Sequence, residues 1–334
     1  MATEIAVHHA LEDWQAVRQE SLWRPREEKS LLVGNGASMV VSEKFGYRSL
    51  YDQASLGSDD QALFDALDHT RNFEIALNAL GIATLVCRQV GQDFSKIEER
   101  YASIREALIR AVHVSHVNHV DVSEDRLRYI GDGLIKNYLN VYSTNYDLLL
   151  YWSMMMHGSF DDWGDFFWNE LTFDIQNSEP NPTIPPRTML HYLHGGLHLY
   201  RLPDGRVKKR SAAVGRAILR QLDSLADLPF FVSEGSSQDK LRVIRGSDYL
   251  SHMYERLRDD TTSLVVFGHD LGKQDAHIVD ALQSREHVAF GVHPTSDAEV
   301  AATVERIKKL LPNAKLRFFD ARTHGLGTTW LRVS

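Results

Sequence analysis

Four short segments carry residue types suited to chemistry. His194 stands before a glycine at the end of TMLHYLHG, Thr188 to Gly195, and an imidazole is the side chain best matched to proton transfer near neutral pH. Asn145 lies in STNYD, Ser143 to Asp147, with Thr144 before it and the Asp147 carboxylate two residues on; a carboxamide orients a water without changing charge. GNGAS comprises Gly34, Asn35, Gly36, Ala37 and Ser38 and follows the apolar Leu31-Leu32-Val33. A strand feeding a glycine-rich turn into a helix gathers backbone N–H groups where the phosphates of a nucleotide can sit. VVFGHD, Val265 to Asp270, ends another apolar run with Gly268 and Asp270. Each segment also has a plain structural reading. Glycine serves turns for its positive φ alone, His194 suits a core position, Asn145 to Asp147 suits a helix N-cap, and Asp270 and Asp275 suit the start of the next helix, Asp275 especially.

The elements that must position these residues follow from hydrophobic spacing. A helix is expected from about Thr3 to Glu20, closed by Arg24-Pro25, and a strand at Leu31. Helices over Asn72 to Val90 and Ser95 to about His119 form a helical insertion spanning about 60–136, with a third helix capped at Ser123 and running to Asn137. Tyr138 to Asn145 reads as a strand with a helix from about Tyr146, and 157–187, rich in Trp, Phe, Asp and Pro, as a lid-like loop. A strand at Thr188, a hairpin from Leu197 through Pro203-Asp204-Gly205 to Val207, a helix from Ser211 to Leu225, a strand and turn over Pro229 to Gly235 and a helix from Ser247 to Arg258 come next. Strands at Ser263–Phe267, His287–Val292 and Lys315–Phe319 alternate with helices at Asp275–Ser284 and Ser296–Leu311, which implies parallel βαβ crossovers. The chain is thus read as a single α/β domain over 1–334, a Rossmann-like open parallel sheet. Ligands of such sheets lie at the carboxyl ends of strands, where all four segments fall.

Composition narrows the function classes. With 37 basic and 45 acidic side chains in 334 residues, the net charge of −8 argues against a broad nucleic-acid-binding surface, and RVKKR, Arg206 to Arg210, reads as a solvated turn. Cys87 alone builds neither an intrachain disulfide nor a cysteine zinc site. The N-terminal residues lack a signal-peptide pattern, and the most apolar run, Leu148 to Met156, is too short to span a bilayer, so a cytoplasmic protein is expected. His113, His116 and His119 recur along an expected helix, and His191, His194 and His198 recur similarly; neither trio has a neighbouring carboxylate or cysteine that completes a metal set. Trp163, Phe166, Phe167 and Trp168 suit packing of the loop more than clamping of a base.

In order, GNGAS, STNYD, LHG and GHDL resemble the sirtuin series of a G-A-G-x-S turn, a T-Q-N-x-D loop, an H-G pair and a G-T-S-like turn around NAD. The likeness is greatest to zinc-free bacterial sirtuin-like proteins, and to a subfamily with Y-L-H-G-x-L-H-L, here Tyr192 to Leu199, and with an E-G turn, a K-L and a Y-L helix, here Glu234-Gly235, Lys240-Leu241 and Tyr249-Leu250. The resemblance implies that Gly34 to Ser38 hold the pyrophosphate, that Asn145 positions a water or the nicotinamide ribose, that Asp147 holds the carboxamide, that His194 is the base, and that Gly268 and Asp270 line the adenosine ribose. Departures shape the expectation. There is no four-cysteine zinc ribbon, which argues against deacylation and leaves hydrolysis of NAD with water as acceptor. MVVSEKFGYRSL replaces the usual G-I-P-x-F-R run, with Phe45 or Arg48 as substitutes, Thr144 replaces Gln, and Asp270 replaces Ser. The implied activity is NAD cleavage to nicotinamide and ADP-ribose or its cyclic form, without a metal, in anti-phage defence, with a homo-oligomer or a partner sensor such as a DNA-translocating ATPase. The alternatives are a catalytically silent NAD or ADP-ribose sensor module and a metal-dependent phosphoesterase, the latter suggested by VGNG, IGDG at Ile130 to Gly133, and FGHD.

Overall fold

A computed structural model describes residues 11–20, 23, 25–26, 28–46, 50–157, 162–167, 171–173, 175, 187–202, 204–211, 217–219, 228–232 and 235–333. Its strands are β1 Lys29–Val33, β2 Asn140–Ser143, β3 Trp163–Gly164, β4 Thr188–Tyr192, β5 Gly195–Arg201, β6 Val207–Lys209, β7 Pro229–Phe231, β8 Ser263–Phe267, β9 His287–Val292 and β10 Lys315–Asp320. Its helices are α1 Trp14–Gln19, α2 Asn35–Val41, α3 Leu50–Gln53, α4 Ser58–Ala66, α5 Phe73–Gln89, α6 Ser95–Ser115, α7 Glu124–Asn137, α8 Leu149–His157, α9 Ser237–Arg245, α10 Asp248–Asp259, α11 Ala276–Ala281 and α12 Asp297–Leu310.

Seven strands form one parallel sheet in the order β10-β9-β8-β1-β2-β4-β3, the Rossmann-like open arrangement expected. The strands β1 and β8 are buried at every position, as continuous apolar runs are when helices cover both faces of a parallel sheet. From β1 the chain builds outward through β2, then returns to lay β8 on the other side of β1. The order therefore reverses between β1 and β8, and such a switch point opens a crevice beyond the strand ends.

The helices α4 to α6 lie between β1 and β2, with α5 packed on α6. The last helix before β2, α7, packs on α8. At that crossing a Cβ on Gly131 would stand 2.4 Å from the Ser153 carbonyl. IGDG is therefore a helix-packing segment, not a ligand loop. Several expected elements differ. The α6 helix stops at Ser115, so His113, His116 and His119 do not share a helix; the buried His116 accepts the Leu148 N–H at Nε2, 3.0 Å. The run from Thr188 to Gly195 is not one strand. It breaks at Leu193-His194, and β5 starts a second, antiparallel sheet in the order β6-β5-β7, which the hairpin alone foreshadowed. Within the expected lid, β3 pairs with β4 as the sheet edge, and Trp163, Phe166 and Phe167 are core residues. Lys209 of RVKKR is buried against Asp165 at 2.6 Å, so that run is not a solvated turn. Residues 1–10, Arg24, Arg48, Trp168, Glu234, most of 157–187 and most of 211–225 lie outside the described residues. Among the described residues, no helix is long and apolar enough to cross a membrane.

The amino ends of the central strands meet at Asp260, after α10. Its carboxylate accepts from Ser30 Oγ of β1 at 2.7 Å, Asn140 Nδ2 at 3.1 Å and Tyr142 Oη at 2.9 Å of β2, and pairs with the buried Arg285 at 3.1 Å. Burial opposes ionisation, yet Arg285, Ser30 and the Thr262 amide hold the carboxyl well below the usual range. Asp260→Ala would leave Arg285 buried without its counter-charge and is expected to cost about 3–5 kcal/mol, read as a fall in the urea midpoint; an unchanged midpoint would show that the pair is not buried in solution.

Candidate functional site

At the carboxyl ends of these strands the chain encloses a cleft of about 490 Å³, a size typical of small-molecule sites. All four segments picked out by residue chemistry reach it. Asn35, Gly36, Thr144, Asn145, Asp147, His194, Gly268 and Asp270 line it directly. Gly34, Ala37 and Ser38 sit behind that wall.

The floor is a contact between two turns. The Gly34 N–H donates to the Phe267 carbonyl at 2.9 Å, and the Gly36 N–H to the Gly268 carbonyl at 2.8 Å. Gly268 has φ +68°, and a Cβ there would lie 2.4 Å from the Ala37 nitrogen, while one on Gly34 would lie 2.5 Å from the Gly268 oxygen. Glycine is required for this approach, not only for the turn. The Ala37 N–H is also engaged, with the Gly34 carbonyl at 3.0 Å. Ser38 Oγ donates to Asp147 Oδ2 at 2.6 Å. The Gly34, Gly36 and Ala37 amides and the Ser38 hydroxyl, which the resemblance assigns to a pyrophosphate, thus each have a hydrogen-bond partner within the fold. Asn35 donates through its side chain to the Phe45 carbonyl at 2.6 Å, bringing Phe45 and the exposed Lys44 to the cleft wall.

Asn145 is 6% exposed. Its Nδ2 donates to the Gly34 carbonyl at 3.2 Å and to Ser38 Oγ at 3.0 Å. A carbonyl can only accept, so the amide orientation is determined. Its Oδ1 has no hydrogen-bond partner among the described residues. Asp147 accepts the Leu149 N–H at 2.9 Å and so tethers the start of α8. Burial pushes its carboxyl up, against the Ser38 and Leu149 hydrogen bonds. Asp270 is exposed and accepts the Gly272 N–H at 3.0 Å, turning the chain after β8.

His194 sits in the turn where the chain leaves the large sheet for the small one. Its Nε2 lies 2.9 Å from His277 Nε2. His277 Nδ1 lies 3.0 Å from Ser237 Oγ, which also accepts the His277 N–H at 2.9 Å. Beside them Lys240 of α9 donates to Asp275 at 2.7 Å in a buried pair, with His269 Nε2 3.8 Å from the same carboxylate. Asp275 stands at the N-cap position of α11, where the helix-start reading puts it, but its side chain makes no cap bond and pairs with Lys240 instead. Burial opposes its ionisation, but the neighbouring imidazoles and Lys240 bring it to about 2. Ser237, Lys240, His269, Asp275 and His277 make up the rest of this cluster, and residue chemistry did not single them out for it. His277 lies 83 residues from His194 inside an ordinary helical pattern, with no local signal.

Two groups have the ligand types for a divalent ion: His194, Asp275 and His277, and His269, Asp270 and Asp275, each set of atoms lying within 4.8 Å of one another. The Lys240 ammonium on the shared carboxylate works against a second cation there. His191 and His198 do not join either group: His191 bonds Asn140 at 3.1 Å, and His198 stacks on Tyr151.

Two outcomes follow. Gly268→Ala is expected to force the turns apart and cost about 1–3 kcal/mol, measured by urea unfolding; a neutral result would mean that the contact is not kept in solution. Burial pushes His116 and His277 each down to about 4, so the folded chain holds both neutral while the unfolded chain protonates near 6.5. Stability is then full above about 6.5 and falls as the pH drops toward 4, before Asp275 protonates. The thermal midpoint should decline steadily across that window, and a flat profile would refute the buried neutral state.

No curated protein matches the sequence. A family model matches residues 31–327, from the first strand of the large sheet to the last turns after β10. The chain therefore belongs to the family described as Domain of unknown function (DUF4917).

Proposed function

We propose that this chain is an NAD glycohydrolase of sirtuin-like type. The observation that carries the reading is that Asn145, its amide orientation determined and its oxygen unmatched, and His194 wall the same cleft as the touching turns of β1 and β8. NAD and water give ADP-ribose, nicotinamide and a proton. The bond from the ribose anomeric carbon to the pyridinium nitrogen breaks, its electron pair neutralising nicotinamide, and the water oxygen bonds that carbon as His194 takes the proton. Positioning and shielding are what an oxocarbenium-like ribose needs. Burial, with Lys240 nearby, holds His194 well below its ordinary pKa, so the ring is neutral and has a lone pair at neutral pH. Lys44 on the cleft wall supplies positive charge for the pyrophosphate, and Asp270 accepts from ribose hydroxyls. Control by self-assembly or by a sensor such as a DNA-translocating ATPase, in anti-phage defence, belongs to the same reading.

The two carboxylate–histidine groups favour a second reading, a metal-dependent phosphoesterase. The purified chain should release nicotinamide from NAD, and His194→Ala and Asn145→Ala should each lower turnover by about 10²-fold or more. Stabilisation by NAD without turnover would favour a silent binding module instead. Chelator-sensitive phosphoester cleavage would favour the metal reading.

A further inference from the structure

We propose that His277 is the positioning residue for His194, holding it in the tautomer whose Nδ1 lone pair faces the cleft. The inference rests on the reading of His194 as the base.

At 2.9 Å, His194 Nε2 and His277 Nε2 have room for one proton between them. Two lone pairs or two N–H groups would repel, so one ring is donor and the other acceptor. If His277 donates, His194 carries its other proton on Nδ1 and offers the cleft only an N–H. If His194 donates, its Nδ1 is a lone pair, and His277 carries its own proton on Nδ1, 3.0 Å from Ser237 Oγ. Ser237 can take that proton: its oxygen already accepts the His277 N–H at 2.9 Å and has a second lone pair. Among the described residues His194 Nδ1 makes no hydrogen bond, and it is not among the fully buried atoms that lack one. It is therefore the nitrogen open to a reacting group. Proton uptake there places positive charge on a ring whose Nε2–H points at His277, with an Asp275 carboxylate oxygen within 4.8 Å of a ring nitrogen of each histidine. The order of roles is base, orienting ring, anchoring hydroxyl, the logic of a base held by a third group. His277 touches no substrate in this arrangement.

Long-range ¹H–¹⁵N spectra of the full chain labelled at histidine test this directly, with the His194 signals assigned by their loss in His194→Gln. The expected result is a pyridine-like Nδ1 and a pyrrole-like Nε2 for His194, shifting toward the other tautomer in Ser237→Ala. A pyrrole-like Nδ1 in the wild type overturns the proposal, as does loss of the tautomer pattern on adding one equivalent of Zn²⁺, which would make the pair metal ligands. Kinetics give a second readout. His277→Gln keeps an acceptor near the place of Nε2 and should retain turnover within about tenfold, whereas His277→Leu should lower kcat by about 10²-fold with KM little changed. Equal losses in both variants would mark a merely structural role and overturn it. The expected spectra without any NAD turnover would support the positioning role and defeat the glycohydrolase reading separately.

Discussion

Two backbone turns touch at the middle of this protein with no side chain between them. The Gly36 amide donates to the Gly268 carbonyl, and a Cβ on Gly34, Gly36 or Gly268 would collide with the opposite turn. That contact closes the gap between β1 and β8 at the point where strand order reverses. It also directs α2 and its Ser38 toward Asn145 and Asp147, so the turn, the carboxamide and the carboxylate are held as one hydrogen-bonded unit. A polar ligand entering the cleft meets a floor already satisfied internally. What remains for recognition are the groups around its rim.

The sheet divides its tasks between its ends. Its amino ends are joined by Asp260, which collects hydrogen bonds from β1 and β2 and the charge of a fully buried arginine. Its carboxyl ends carry glycine turns, imidazoles and the Lys240–Asp275 pair. Burial has opposite consequences for the two kinds of charge at that end. It keeps the imidazoles neutral, because no full counter-charge is in direct contact with His194 or His277. It leaves Asp275 ionised, because Lys240 lies within hydrogen-bonding distance of its carboxylate.

The small antiparallel sheet explains why His194 is where it is. A chain continuing straight from β4 would carry the residue past the cleft. Instead Gly195, with φ +70° and a Cβ position 2.4 Å from the Phe230 carbonyl, lets the chain turn and pair with β7, leaving His194 at the corner. The α9 and α11 segments then close over that corner and bring Ser237, Lys240 and His277 to it.

The sequence by itself determined the class of fold and the four turns, because both rest on local physics. Apolar runs such as Leu31 to Val33 and Val265 to Phe267 can only be buried parallel strands when helices alternate with them, and a glycine turn after each strand is readable one residue at a time. Convergence of those turns followed from the rule that parallel strands present their carboxyl ends together. Only the tertiary structure decided what the turn atoms do. The Gly36 amide and the Ser38 hydroxyl are engaged by partners in the same fold, and no local pattern announces a partner more than 100 residues away. Nor could periodicity show that Asp275 faces Lys240 rather than its own helix, that β5 leaves the sheet, or that His277 lies against His194. Those outcomes depend on how separate elements dock, where the requirement that every buried polar group find a partner is met between distant parts of the chain.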